Sequence, residues 1–260
     1  MANCAKRKLL PLLLLVSFST PSVALPPNNC STKQFDTVSL VTYVFDGDTV
    51  KLANKQHVRL IGVNAPEMHY GKNKPEPLAD EARQLLAKTV LNKKVGLKFG
   101  KEKKDSHRRT LAHLFLLDGS NVQSAILTSG LATNIAVPPN LAFQDCYQFA
   151  ELAAKTTRSG IWDNSYYNPI PSENLNKSST GYKRISGQIK NIIQQKSRTV
   201  LTLGDSLTLV IYNNHQKYFQ KFDLSSLLNS QVIVNGWIRL KNKQLLMTLK
   251  HPSAIEITSK

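Results

Sequence analysis

Asp46-Gly47-Asp48-Thr49-Val50, followed by Val58-Arg59-Leu60-Ile61-Gly62-Val63-Asn64-Ala65-Pro66-Glu67, is the stretch whose reading decides the fold. Asp-Gly is a turn dipeptide, because glycine supplies the backbone freedom and aspartate bonds its own local backbone. The β-branched run Thr37 to Val44 precedes this turn and Thr49 to Leu52 follows it, so both read as strands. Asn54-Lys55 makes the next bend, and Val58 to Val63 reads as a third strand.

Downstream, Met68 to Pro77 reads as a loop and Leu78 to Leu91 as a helix, with Leu78, Ala82, Leu85, Leu86 and Val90 at helical spacing. Val95 to Phe99 and Thr110 to Leu117 are two further strands, the second closed by Asp118-Gly119. Val122 to Ser129 is a short helix with Asn121 as its cap and Gly130 as its stop. Phe143 to Arg158 is a longer helix that ends by Gly160. Five strands with interspersed helices predict an α+β unit, mainly β, shaped as an OB-fold: a five-stranded barrel of the oligonucleotide-binding type, decorated by helices.

The pattern changes after residue 163. Asn164 to Gly181 holds Tyr, Asn, Pro and Ser with almost no aliphatic residue and reads as a linker. Lys183 to Ile193, Thr199 to Leu203, Leu207 to Tyr212, Val232 to Leu240 and Gln244 to Leu249 are strand-like runs, with one helical turn over Leu224 to Leu228. They predict a second, smaller OB-like β-barrel over 182–260, with Trp237 read as a core residue and a base-stacking platform as the alternative. The expected organisation is a leader over 1–24, a first domain over 25–163, a linker over 164–181 and a basic β domain over 182–260.

A hydrophobic content of 41% is enough for packed cores and argues against disorder. The formal charge of +17 marks a chain that collects polyanions. Residues 182–260 hold 12 Lys and Arg against 3 Asp and Glu, so much of that excess lies in the smaller domain. Lys6, Arg7 and Lys8, the apolar run Leu9 to Phe18 and the small residues Ser22-Val23-Ala24 form a signal-peptide pattern with cleavage after Ala24. The apolar run is shorter than the roughly 20 residues a membrane span needs, and no later segment is apolar enough to cross. The expected location is therefore periplasmic or extracellular. The leader takes Cys4 with it, and the remaining Cys30 and Cys146 are expected to pair in an oxidising compartment, two unpaired thiols being the alternative.

The acidic and cationic side chains of the first barrel carry the chemistry. Asp48, just after a turn, is a candidate ligand for a hard cation, with Asn64 and the Ala65 carbonyl as further oxygens. Glu67, behind the rigid Pro66, can deprotonate a water beside a phosphate. Arg59 sits among apolar neighbours and needs a partner, either a local carboxylate or a substrate phosphate. Arg109 follows Asp105 in a polar turn and is either solvated charge or a second phosphate ligand, with His107 beside it. Cation ligands, a base and two guanidinium groups are the parts a phosphodiesterase requires. The histidines show no paired spacing for zinc.

From about Val38 to Trp162 the chain resembles the staphylococcal nuclease (thermonuclease) family. The resemblance rests on DGDTV at 46–50, VRLIGVNAPE at 58–67, Asp105 to Arg109, Gly130-Leu131-Ala132, Ala150-Glu151 and Gly160-Ile161-Trp162. It implies a five-stranded oligonucleotide-binding barrel and calcium-dependent hydrolysis of DNA and RNA. It implies Arg59, Glu67 and Arg109 as catalytic residues and Asp48 as a calcium ligand. The family usually carries aspartate where this chain has Asn64, often threonine where it has Ala65, and often tyrosine-glycine where it has His107-Arg108. Base-stacking tyrosines have no clear counterparts around Ile135 to Pro139. The C-terminal segment resembles the extra small barrel of some bacterial members.

The expected function is that of a periplasmic or secreted nuclease using Ca2+, or another divalent cation because of Asn64, on DNA or RNA. The alternative is a module that binds nucleic acid or an anionic envelope component without cutting it.

Overall fold

The computed structural model describes Met1, residues 30–69 and residues 74–259. Apart from Met1, the expected leader over 1–24 lies outside the described residues, as do residues 70–73 of the loop expected over 68–77.

The first unit contains β1 (Thr37–Asp46), β2 (Thr49–Leu52), β3 (His57–Leu60) and the two-residue β4 (Val63–Asn64). Then come α1 (Ala79–Val90), β5 (Lys94–Lys104), β6 (Thr110–Phe115), α2 (Val122–Thr128), β7 (Thr133–Asn134) and α3 (Gln144–Thr156). Strands β1, β2, β3, β6 and β5 close into a barrel in that order. β1 carries register irregularities between Val41 and Tyr43 and between Val44 and Asp46, the kind of bulge that bends a strand enough to close a small barrel. β3 and β6 run parallel, with Val58 beside Thr110 and Arg59 beside Leu111.

The single strand expected over Val58 to Val63 is broken. Gly62 has φ +87°, and a Cβ there would lie 2.4 Å from the Tyr147 ring, so only glycine lets the chain turn against α3. Beyond the turn β4 pairs with β7 instead of the barrel. β5 is longer than the expected Val95 to Phe99 strand and continues to Lys104.

The core of this unit packs Val41, Leu60, Leu86, Leu97, Ile126 and the buried Tyr147 among others. Asn121 caps α2, its side chain accepting the Ser124 N–H. A disulfide joins Cys30 to Cys146 on α3, with 5.2 Å between their Cα atoms and a sequence separation of 116. It fastens the segment before β1 to the helix that ends the first core and contributes on the order of 2–5 kcal/mol.

The connection over 164–181 is more than a spacer. It has 3-10 turns at Ser165–Tyr167 and Ser172–Asn174 and a two-residue strand, β8 (Ile170–Pro171). The second unit follows with β9 (Gly181–Gln195), β10 (Arg198–Leu203), β11 (Leu207–Tyr212), β12 (Gln231–Lys241), β13 (Gln244–Thr248) and β14 (Ile255–Ser259). β9 pairs with both β10 and β12, and β10–β11 and β13–β12 complete a closed ring of five, with β11 and β13 parallel. β14 adds to β12 and β8 to β9. The second core, from Ile185 to Ile255, is separate from the first.

Trp237 corrects an expectation. On β12, Val232, Val234, Gly236 and Ile238 point inward, so the period of two places Trp237 outward, 42% exposed. Apolar residues on either side of it in sequence made a core position look natural; the strand's parity decides otherwise.

The two units touch along one side. Lys155 on α3 bridges to Glu256 on β14 at 3.1 Å, and the Tyr182 hydroxyl lies 3.2 Å from Thr133 Oγ1. Lys155 and Arg184 each lie 4.8 Å from the Trp162 ring. No helix among the described residues is long and apolar enough to cross a membrane.

Candidate active site

The turn between β1 and β2 sets Asp46 and Asp48 side by side, the Asp48 N–H donating to Asp46 Oδ1 at 3.0 Å. Gly47 belongs here for a steric reason: a Cβ would fall 2.6 Å from Ala65 and 2.7 Å from Ala82. Asp48 is buried. Its Oδ1 accepts the Thr49 hydroxyl at 3.0 Å and its Oδ2 accepts the Ala65 N–H at 2.9 Å.

Arg59 lies directly across the β2–β3 ladder from Thr49 and reaches Asp48, Nη2 to Oδ2 3.0 Å. The same nitrogen donates to Asn64 Oδ1 at 3.2 Å, and Nη1 donates to the Leu60 and Val63 carbonyls at 3.0 and 2.8 Å. Of the two partners the sequence left open for Arg59, the carboxylate is the one it holds here. Asp48, Arg59, Asn64 and Ala65 thus form one hydrogen-bonded cluster.

Glu67 lies at the edge of that cluster. Its N–H donates to Glu76 Oε2 at 2.9 Å. Its side chain is open to solvent at the cavity surface, yet surrounding protein and the nearby Asp48 raise its carboxyl above the ordinary value, against the pull of Arg59. Burial and the charge of Asp48 push the Asp46 carboxyl up as well. Asp46 is not among the candidates above, because Asp-Gly reads as turn chemistry; the repeat of aspartate at 46 and 48 is the signal that points to it.

Arg109 and His107 stand apart from this cluster. Arg109 precedes β6 and gives its Nε to Asp105 Oδ2 at 2.7 Å and its N–H to Asp105 Oδ1 at 2.9 Å. The His107 N–H also goes to Asp105 Oδ1. Burial would raise the Asp105 carboxyl, but the bonds from Arg109 outweigh it and hold it below the usual range. Through the β3–β6 pairing the turn is next to Arg59 in the sheet, although neither Arg109 nor His107 lines the adjoining cavity.

That cavity has a volume of about 580 Å³. One wall is Asn64 to Glu67 with Glu76; the other is built by the 164–181 connection and the second barrel, including Tyr167, Tyr182, Arg184 and Trp237. The Tyr166 hydroxyl lies 3.4 Å from Glu76 Oε1, and the Tyr167 hydroxyl donates to the Pro77 carbonyl.

Asp46 and Asp48 stand side by side with the Asn64 amide oxygen near them, the kind of oxygens a hard divalent cation takes, although Arg59 and the Ala65 N–H already occupy Asp48 Oδ2 and Arg59 also occupies Asn64 Oδ1. The set is lean, since no group of three His, Cys, Asp or Glu side chains is placed for a metal among the described residues.

Comparison with known proteins finds relatives of the first unit. The family model described as staphylococcal nuclease homologue matches residues 57–164. The thermonuclease of Staphylococcus hyicus is 29% identical over 157 residues, which cover 59% of this chain and 91% of that protein. The thermonuclease of Staphylococcus intermedius is 34% identical over 128 residues, 48% of this chain and 75% of the relative. Endonuclease YncB of Bacillus subtilis is 31% identical over 146 residues, 54% of this chain and 68% of the relative. With identities above 30% extending over more than two thirds of these last two proteins, the chain belongs to the staphylococcal nuclease family.

Proposed function

We propose that the chain is a secreted or periplasmic nuclease that hydrolyses phosphodiester bonds of DNA or RNA with the help of calcium or a similar divalent cation. The observation that carries this reading is Glu67, a carboxylate open to a cavity, raised above its ordinary pKa and adjacent to a buried Asp48–Arg59 pair. Names of the relatives, thermonuclease and endonuclease, support the same chemistry.

Glu67 orients a water and takes its proton as the water oxygen bonds to phosphorus and the ester oxygen leaves. Arg59 holds positive charge for the extra negative charge on the phosphoryl oxygens, and Arg109 adds its own once it exchanges Asp105 for a phosphate. The Leu60 and Val63 carbonyls keep the Arg59 guanidinium in place when Asp48 takes another partner. Asp46, Asp48 and Asn64, with the Ala65 carbonyl, would hold the cation, which supplies Lewis-acid polarisation of the phosphoryl group when bound. The basic second barrel gathers nucleic acid through counterion release.

Cleavage of plasmid DNA with calcium, compared between the wild type and Glu67→Gln, tests the assignment. The variant should lose about 10²- to 10⁴-fold in rate while keeping its unfolding midpoint. Undiminished cleavage would remove Glu67 from the mechanism.

A further inference from the structure

We propose that Trp237 of the second barrel is a nucleobase-stacking platform, so that the C-terminal domain contributes a single-strand subsite across the cavity from Glu67. This deepens the nuclease reading: it names what the far wall of the cavity holds.

Trp237 is a large aromatic turned away from its own core and 42% exposed, where its indole would ordinarily be covered. Its position is fixed from behind. Tyr182, its neighbour across the β9–β12 ladder, meets it edge-on at 4.9 Å, and the Tyr182 hydroxyl is tied to Thr133 of the first unit. Both rings border a small space of about 50 Å³ against Ile135 to Val137. That stretch of the first unit, Ile-Ala-Val-Pro-Pro at 135–139, offers no aromatic face of its own. The aromatic surface along this seam comes from Tyr182 and Trp237 of the second barrel.

Charge selects the occupant. Lys183 and Arg184 line the cavity on the Trp237 side, and Glu67 and Glu76 line the opposite wall. Arg184 is held by Asn235 Oδ1 at 3.3 Å, by the Tyr167 carbonyl at 3.2 Å and over Trp162. An apolar ring beside a held guanidinium and a lysine suits a base attached to its phosphate backbone, and every base has a face for such a platform. A volume of about 580 Å³ lies within the ordinary range for a ligand site. Bases inside a duplex are already stacked and cannot reach Trp237, so the ligand is an unpaired strand.

Affinity for a short labelled single-stranded DNA is measured with the full chain in chelator, where binding is separated from cleavage. Trp237→Ala should bind roughly tenfold more weakly and Trp237→Phe should recover most of the loss. An abasic strand of the same length should bind the wild type as weakly as the normal strand binds Trp237→Ala, and that variant should not distinguish the two strands. Equal affinity of wild type for normal and abasic strands overturns the subsite, as does a Trp237→Ala loss of equal size on both. Cleavage with calcium is run alongside. Base-dependent binding without cleavage would leave the subsite standing and remove the nuclease reading; cleavage with base-independent binding would do the reverse.

Discussion

Arg59 Nη2 stands 3.0 Å from Asp48 Oδ2, and the two side chains are only 11% and 7% exposed. Neither charge has ready access to water, so each depends on the other. Two further bonds to Asp48, from Thr49 and Ala65, spread the negative charge but do not neutralise it. Removing one member of such a pair leaves an uncompensated buried charge. Arg59→Met should therefore destabilise the chain by about 3–5 kcal/mol in urea unfolding. Asp48→Asn in the same background should return part of that loss. Additive single-variant effects would show that the pair is not coupled.

Asn64 is the position where this chain has one negative charge fewer beside Asp48 than its family usually carries. Its Oδ1 accepts from Arg59 at 3.2 Å, so a carboxylate there would fit the same contact. Calcium affinity follows the number of charged oxygens around the ion. In Asn64→Asp the calcium concentration for half-maximal cleavage should fall about tenfold, with the pH held fixed. An unchanged calcium requirement would mean that position 64 does not face the cation.

Some of this architecture was legible in the sequence, and the limits have physical causes. Asp46-Gly47 between β-branched runs fixed the β1–β2 turn because only local backbone chemistry was needed. The helix near Leu78 to Leu91 was readable from apolar spacing, and α1 spans Ala79–Val90. The break at Gly62 was not, since its cause is the Tyr147 ring, which is distant in sequence. Trp237 required knowing which parity of β12 faces inward. The cavity beside Glu67 was invisible because half its wall comes from the second barrel and from tyrosines in a stretch poor in aliphatic residues. Within the site, Asp48, Arg59, Asn64 and Ala65 are neighbours through local turns and one ladder, which spacing can anticipate. The Asp105 turn that holds Arg109 is reached only through the β3–β6 pairing.

Acid should weaken the fold through one residue outside the site. His113 on β6 is buried, its Nδ1 2.7 Å from the Tyr147 hydroxyl and its ring 4.9 Å from that of Phe143. Its Nε2 has no hydrogen-bond partner among the described residues. Burial, and secondarily the charge of Lys98, hold the imidazole down to about 3, against 6.5 for an ordinary histidine. The folded-state pKa is depressed, so the unfolded chain binds this proton first. The associated stability is complete above pH 6.5 and is lost as pH falls toward about 3. From pH 7 to pH 5 the loss amounts to about 2 kcal/mol. His113→Gln removes the titrating group but keeps a polar side chain toward Tyr147. Urea midpoints at pH 7 and pH 5 should therefore converge in the variant relative to the wild type, although the variant is less stable at pH 7. Because the carboxylates titrate alike in both proteins, the difference between the two pH dependences isolates the imidazole. Equal pH dependence in both would mean that His113 takes up its proton in the folded chain as readily as in the unfolded one.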